Sequence, residues 1–104
     1  MTKNDIKTAV AAIKSGDRQT AIKTIHRNHS GMLRPVAETL GHHMWSAFVG
    51  RYVSKITVKE AVGDRPAWRK KAEGRVIWEG TVNSRPSMDT VADFVDAMLK
   101  TNAR

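Results

Sequence analysis

Apolar residues change their spacing twice along this chain. From Ile6 to Tyr52 they recur at helical intervals. Ile56 and Val58, then Val76, Trp78 and Val82, alternate with polar neighbours instead, and Val91, Phe94, Val95, Met98 and Leu99 return to positions i, i+3, i+4, i+7 and i+8. Elements of both kinds must therefore share one core, which sets the expected class as α+β. The expected order is about four N-terminal helices, two strands joined by a basic loop, and one amphipathic C-terminal helix.

Local signals place the boundaries. Thr2, Asn4 or Asp5 caps a first helix over Asp5 to Lys14, Ser15-Gly16 ends it, and Asp17 caps a second helix to about Asn28. The turn between them is short enough to make an antiparallel helical hairpin. Arg34-Pro35 opens a third helix that carries Val36, Ala37 and Leu40 inward and stops at Gly41. The spacing of Met44, Trp45, Phe48, Val49 and Tyr52 predicts a fourth helix from about His43 to Tyr52. Strands are expected near 55–60 and 75–82, and Ser87 is the expected N-cap of the last helix.

A length of 104 residues suits one domain over 1–104. The chain has no cysteine, which removes disulfides and thiolate chemistry and suits a reducing cytoplasm. The polar start Met1-Thr2-Lys3-Asn4-Asp5, with no long apolar run, leaves neither a signal peptide nor a membrane anchor to expect. A cytoplasmic protein with no membrane partner is the resulting expectation.

Charge narrows the choice of partner. Eighteen Lys and Arg stand against ten Asp and Glu, a net of +8. Residues 83–104 are balanced, so the whole excess lies before them. Residues 51–75 hold Arg51, Lys55, Lys59, Arg65, Arg69, Lys70, Lys71 and Arg75 against Glu60, Asp64 and Glu73. Such a field draws polyanions, although the same charge also serves plain solubility.

Val36-Ala37-Glu38-Thr39-Leu40-Gly41, followed by the aromatic segment, resembles the first helix and turn of helix-turn-helix DNA-binding domains. Ala37 stands where a small residue lets two helices approach, and Gly41 stands at the turn. The resemblance covers roughly residues 34–53. It implies that a helix after Gly41 enters the major groove and presents His42, His43, Ser46 and Arg51, with the two strands forming a winged-type hairpin. His42, Ala47 and Gly50 depart from the pattern, each standing where an aliphatic or core residue is usual. The other reading is an ordinary helical corner that contains Ala and Gly.

A second feature is Arg65-Pro66-Ala67-Trp68-Arg69-Lys70-Lys71, where an indole able to stack on an unpaired base stands among phosphate-binding cations. Trp68 is equally readable as a lid on the core, and Trp45 and Trp78 as core. The histidines His26, His29, His42 and His43 match no metal-binding spacing, so no metal and no cofactor are expected. Phosphate loops, nucleophile elbows and HExxH motifs are absent from the sequence, which argues against an enzyme.

The expected function is that of a small, basic, non-enzymatic nucleic-acid-binding protein, with DNA favoured over RNA: a regulator or accessory factor. Cations at 51–75 and 18–34 would hold phosphates, and Arg69, Lys70 and Lys71 would add affinity with little sequence preference. The alternative is an interaction module or inhibitor that docks on an acidic surface of a nucleic-acid-processing assembly. Trp68, Met32 and Leu33 would be its anchors. A homodimer is compatible with either, built through the C-terminal helix or in the manner of two-fold DNA readers.

Overall fold

A computed structural model of the chain describes residues 3–60 and 75–102. Helices α1 (Lys3–Ser15), α2 (Arg18–His26) and α3 (Leu33–Thr39) come first, with a 3-10 turn at Ser30–Met32 before α3. Strands β1 (His42–Gly50), β2 (Val53–Glu60) and β3 (Val76–Asn83) come next, and α4 (Met88–Asn102) is the last described element. The α+β class holds. Two details differ from expectation: three helices rather than four precede the sheet, and the sheet has three strands rather than two.

The helical hairpin forms as its caps require. Asp17 Oδ1 accepts the Thr20 amide at 3.2 Å and its Oδ2 accepts the Thr20 hydroxyl at 2.7 Å, which satisfies orphan donors at the start of α2. These bonds favour the ionised carboxylate and hold Asp17 below its usual range. Ala9, Val10, Ala12 and Ile13 of α1 then pack with Ala21, Ile22 and Ile25 of α2. Pro35 sits within the first turn of α3, where its missing N–H removes no helical bond.

Gly41 turns the chain out of α3 and into the sheet. Its φ of +90° is open to glycine and costly for other residues, and its amide closes the helix end on the Glu38 carbonyl at 3.0 Å. The next element is a strand. The helix expected over 43–52, and with it the helix-turn-helix pair, is therefore corrected. Residues 42–50 include Trp45, Phe48 and Val49, side chains that favour a pleated backbone. They pair antiparallel with β2, in a register running from His42↔Glu60 to Phe48↔Ser54.

The apparent helical spacing arose because apolar side chains occupy both faces of β1. Met44 is buried toward the helices, Trp45 points to the opposite face, and Phe48 and Val49 lie beyond the helical layer in solvent. A period of two on a strand that outruns its cover looks like a period of 3.6.

The sheet is a meander of order β1-β2-β3. His42, Met44, Ile56, Val58, Trp78 and Val82 share its buried face, against which α3 packs at β1 and α4 at β3. The α1–α2 hairpin covers the outer side of α4. Ser87 caps α4 by accepting the Thr90 amide at 3.2 Å, and Val91, Phe94, Val95 and Met98 drive into the centre. The Trp78 and Phe94 rings meet edge to face at 5.3 Å. No helix among the described residues is long and apolar enough to cross a membrane.

Candidate nucleic-acid interface

All the described helices lie on one side of the sheet, and no described helix covers the opposite face. Strand register sets what that face presents. Across its three strands run His43, Lys59 and Val76, then Trp45, Thr57 and Glu79, then Ala47, Lys55 and Thr81. The Lys59 ammonium lies 4.7 Å from the centre of the Trp45 ring, a cation–π contact between adjacent strands. At the end of the β1–β2 hairpin, the Arg51 guanidinium stands 5.3 Å from the centre of the Tyr52 ring.

The cations divide into two groups. Arg18 pairs with Asp96 at 2.6 Å, Arg27 with Asp5 at 2.9 Å, Arg34 with Glu38 at 3.5 Å and Arg75 with Glu60 at 3.4 Å. Arg51, Lys55 and Lys59, like Lys3, Lys7, Lys14, Lys23, Arg85 and Lys100, have no ion-pair partner among the described residues. Among those residues, Glu79 is the one carboxylate on the open face. Three of the four Lys and Arg at 18–34 are thus ion-paired, whereas the sheet and its hairpin keep positive charge that has no ion-pair partner among the described residues.

The site residues named from the sequence fall accordingly. Lys55 and Lys59 come together on this face, His43 lies on it with its Nε2 buried, and Arg51 stands at the hairpin end beside it. Ser46 is exposed but has the parity of the helical face, where its hydroxyl lies 3.5 Å from Arg34 Nη2. Arg75 is drawn to Glu60. Arg65, Trp68, Arg69, Lys70 and Lys71 lie outside the described residues.

His42 requires a correction. It is 8% exposed on the helix-facing side of β1, so no groove could reach it, and its Nδ1 has no hydrogen-bond partner among the described residues. Burial pushes its pKa below the ordinary 6.5, with Glu60 opposing and His43 adding to the shift. The unfolded chain binds the proton more readily than the native one. Stability is therefore undiminished above pH 6.5 and falls as the pH drops from there toward the depressed native value. Urea denaturation at a series of pH values from neutral to mildly acidic should show this loss, and His42→Leu should flatten it. The carboxyls of Asp17 and Asp96 are held below 3.8 and act only in stronger acid.

Trp45 and Tyr52 were not among the residues expected at a site. Helical spacing assigned both to a buried face, whereas Tyr52 is exposed and Trp45 is half-buried under Lys59. A reading of 42–53 as a β-hairpin, from its aromatic and β-branched content around Gly50, would have found them.

Among the described residues no group of three or more His, Asp or Glu side chains could hold a metal ion. His29 instead spends its Nδ1 as acceptor for the Gly31 amide at 3.0 Å. Comparison with protein-family models, curated proteins and solved structures finds no match to this chain.

Proposed function

We propose that the protein is a non-enzymatic nucleic-acid-binding factor that holds its polyanion on the open face of the sheet. The observation that carries this reading is that Lys55 and Lys59, on a face that no described helix covers, and Arg51 at its hairpin end have no ion-pair partner among the described residues and stand near the half-buried Trp45. Unpaired strands suit such a surface better than duplex, because an indole can stack on a base only where the base is free. A base arriving on Trp45 displaces the Lys59 ammonium from the ring, and the incoming phosphate receives it. Affinity then comes from counterion release and stacking, with little dependence on sequence. A regulatory or accessory role in nucleic-acid metabolism fits binding of this kind.

The test is a titration of single-stranded DNA, RNA and duplex DNA over a range of salt concentrations. Single strands should bind best, with a complex that weakens steeply as salt rises. Replacing Arg51, Lys55 and Lys59 together by alanine should lower the salt slope on single strands by about two units, at roughly 0.7 per lost contact. An unchanged slope would remove this face from the interface, and failure of the wild type to form any complex at moderate salt would sink the reading.

A second reading rests on a separate feature. On α1, Lys3, Lys7 and Lys14 surround an apolar groove floored by Ile6, Val10 and Ala11. An acidic amphipathic segment of a partner protein would fit it, which is the form that docking on an acidic assembly would take. Such a protein would bind no nucleic acid tightly in the same titration.

A further inference from the structure

On the helix-facing side of the sheet, the 3-10 turn at Ser30–Met32 and the first turn of α3 enclose a pocket of about 180 Å³ against the three strands. Met44, Ile56 and Val82 form its apolar floor, each 5% exposed or less. Every polar side chain on its wall can donate a hydrogen bond. Ser30, Ser46 and Ser54 donate through hydroxyls and Arg34 through its guanidinium, and His29 keeps its proton on Nε2 because its Nδ1 accepts the Gly31 amide at 3.0 Å. No carboxylate among the described residues lines the pocket. A wall of donors that includes an arginine calls for a ligand group that only accepts, which is an anion.

The fold itself holds this wall in place. The Ser30 amide donates to the Ser84 carbonyl at 2.9 Å, which ties the turn to the end of β3. Arg34 Nη1 donates to the Met44 carbonyl at 3.0 Å, and the Ser46 hydroxyl lies 3.5 Å from Nη2. Glu38 pairs with Nη1 at 3.5 Å, with both side chains about half exposed, so the pair is weak and leaves Nη2 and Nε for a stronger acceptor. Size narrows the ligand further. A pocket of about 180 Å³ falls below the roughly 300–1,000 Å³ that enclose a whole small molecule, so one group enters and the rest stays outside. Phe48 stands beside that exit. It shares the face of Ser46, about 6.6 Å further along β1, lies opposite Ser54 in register, and is 85% exposed.

We propose that this pocket binds the phosphate monoester of a nucleotide, with the base stacked on Phe48. The donors of His29, Ser30, Arg34, Ser46 and Ser54 take the phosphate oxygens, and the sugar bridges the gap to the aromatic ring. A free mononucleotide and the phosphorylated end of a strand present this same group. The pocket lies across the sheet from Lys55 and Lys59, so it does not depend on the polyanion face.

The test is isothermal titration calorimetry of the full chain with adenosine 5′-monophosphate, adenosine and inorganic phosphate at moderate salt. The monophosphate should bind best, and adenosine should bind about tenfold more weakly or worse, the effect of losing a charge-assisted hydrogen bond. Arg34→Gln should weaken the monophosphate by a similar factor. Ser54→Ala, which removes a hydroxyl without a described bond to the fold, should weaken it severalfold even if Arg34→Gln disturbs β1. Phe48→Ala should weaken the monophosphate by about fivefold or more and leave inorganic phosphate unchanged, because only the base stacks. Single-stranded DNA with and without a 5′-phosphate separates the sources: a preference for the phosphorylated end assigns the pocket to strand ends, and equal affinities assign it to free nucleotides. A monophosphate that binds no better than adenosine overturns the proposal, as does tighter binding of phosphotyrosine. So does a monophosphate affinity that falls on replacing Arg51, Lys55 and Lys59 yet ignores Arg34→Gln and Ser54→Ala, since the other face would then hold the phosphate. The polyanion reading stands or falls separately, by its salt titration.

Discussion

Phe94→Ala should remove about 3–5 kcal/mol of stability, the range for deleting a fully enclosed aromatic ring. A domain of this size has only about 5–10 kcal/mol in total, so the variant should populate the unfolded state strongly at room temperature. The size of the effect follows from position. Phe94 is 0% exposed, the largest of the completely buried side chains, and it stands where α4 meets both the sheet and the helical hairpin. Its ring lies edge-on to Trp78 at an interplanar angle of 80°, so truncation also frees the indole from its neighbour. Urea denaturation followed by circular dichroism measures the loss. A cost below about 1.5 kcal/mol would mean that the neighbours collapse into the space and that the core is less rigid than these contacts imply.

The second large effect is expected from the smallest change. Gly80 pairs with Ile56 on the buried face of the sheet, and the Trp78 ring lies flat across the place where a side chain would stand. A methyl group at Gly80 would meet Trp78 carbons at 2.4 and 2.5 Å, far inside contact distance. The indole cannot swing away cheaply, because it is 7% exposed and braced by Phe94. Gly80→Ala should therefore destabilise by about 2–3 kcal/mol through overpacking, although alanine in a strand usually gains over glycine. Glycine covered by a cross-face aromatic ring is a known way to stabilise a sheet, and here the ring belongs to the same strand. Thermal melts of the wild type, Gly80→Ala and the double variant Gly80→Ala/Trp78→Leu would check the cause. Strong non-additivity between the two positions is the expected sign of a direct clash.

Much of the architecture was legible where independent signals agreed. The α1–α2 hairpin and α4 have apolar period, capping residue and terminal charge all pointing one way, and their boundaries fall within a few residues of expectation. β1 was misread because the tests conflicted: spacing alone matched a helix, while Trp45, Phe48 and Val49 suit a strand. Tertiary pairing with β2 decided it. The open face was half legible. Lys55 and Lys59 are visible as polar positions of an alternating strand, but their neighbour Trp45 belongs to a strand that spacing alone hid. Ion pairing was not legible at all, since Arg18 finds Asp96 across 78 positions and Arg27 finds Asp5 across 22. A count of cations along the chain cannot say which of them will already be engaged.

Helix α4 comes after every element it packs against, which has a bearing on how the protein is made. As the polypeptide leaves the ribosome, the meander can zip up from neighbouring segments while Ile56, Val58 and Trp78 still lack a cover. Only when Val91 to Met98 emerge does that greasy surface close. A stalled or truncated translation product ending short of α4 would be a sticky, half-shielded sheet, and holdase chaperones and proteases would be its natural fate.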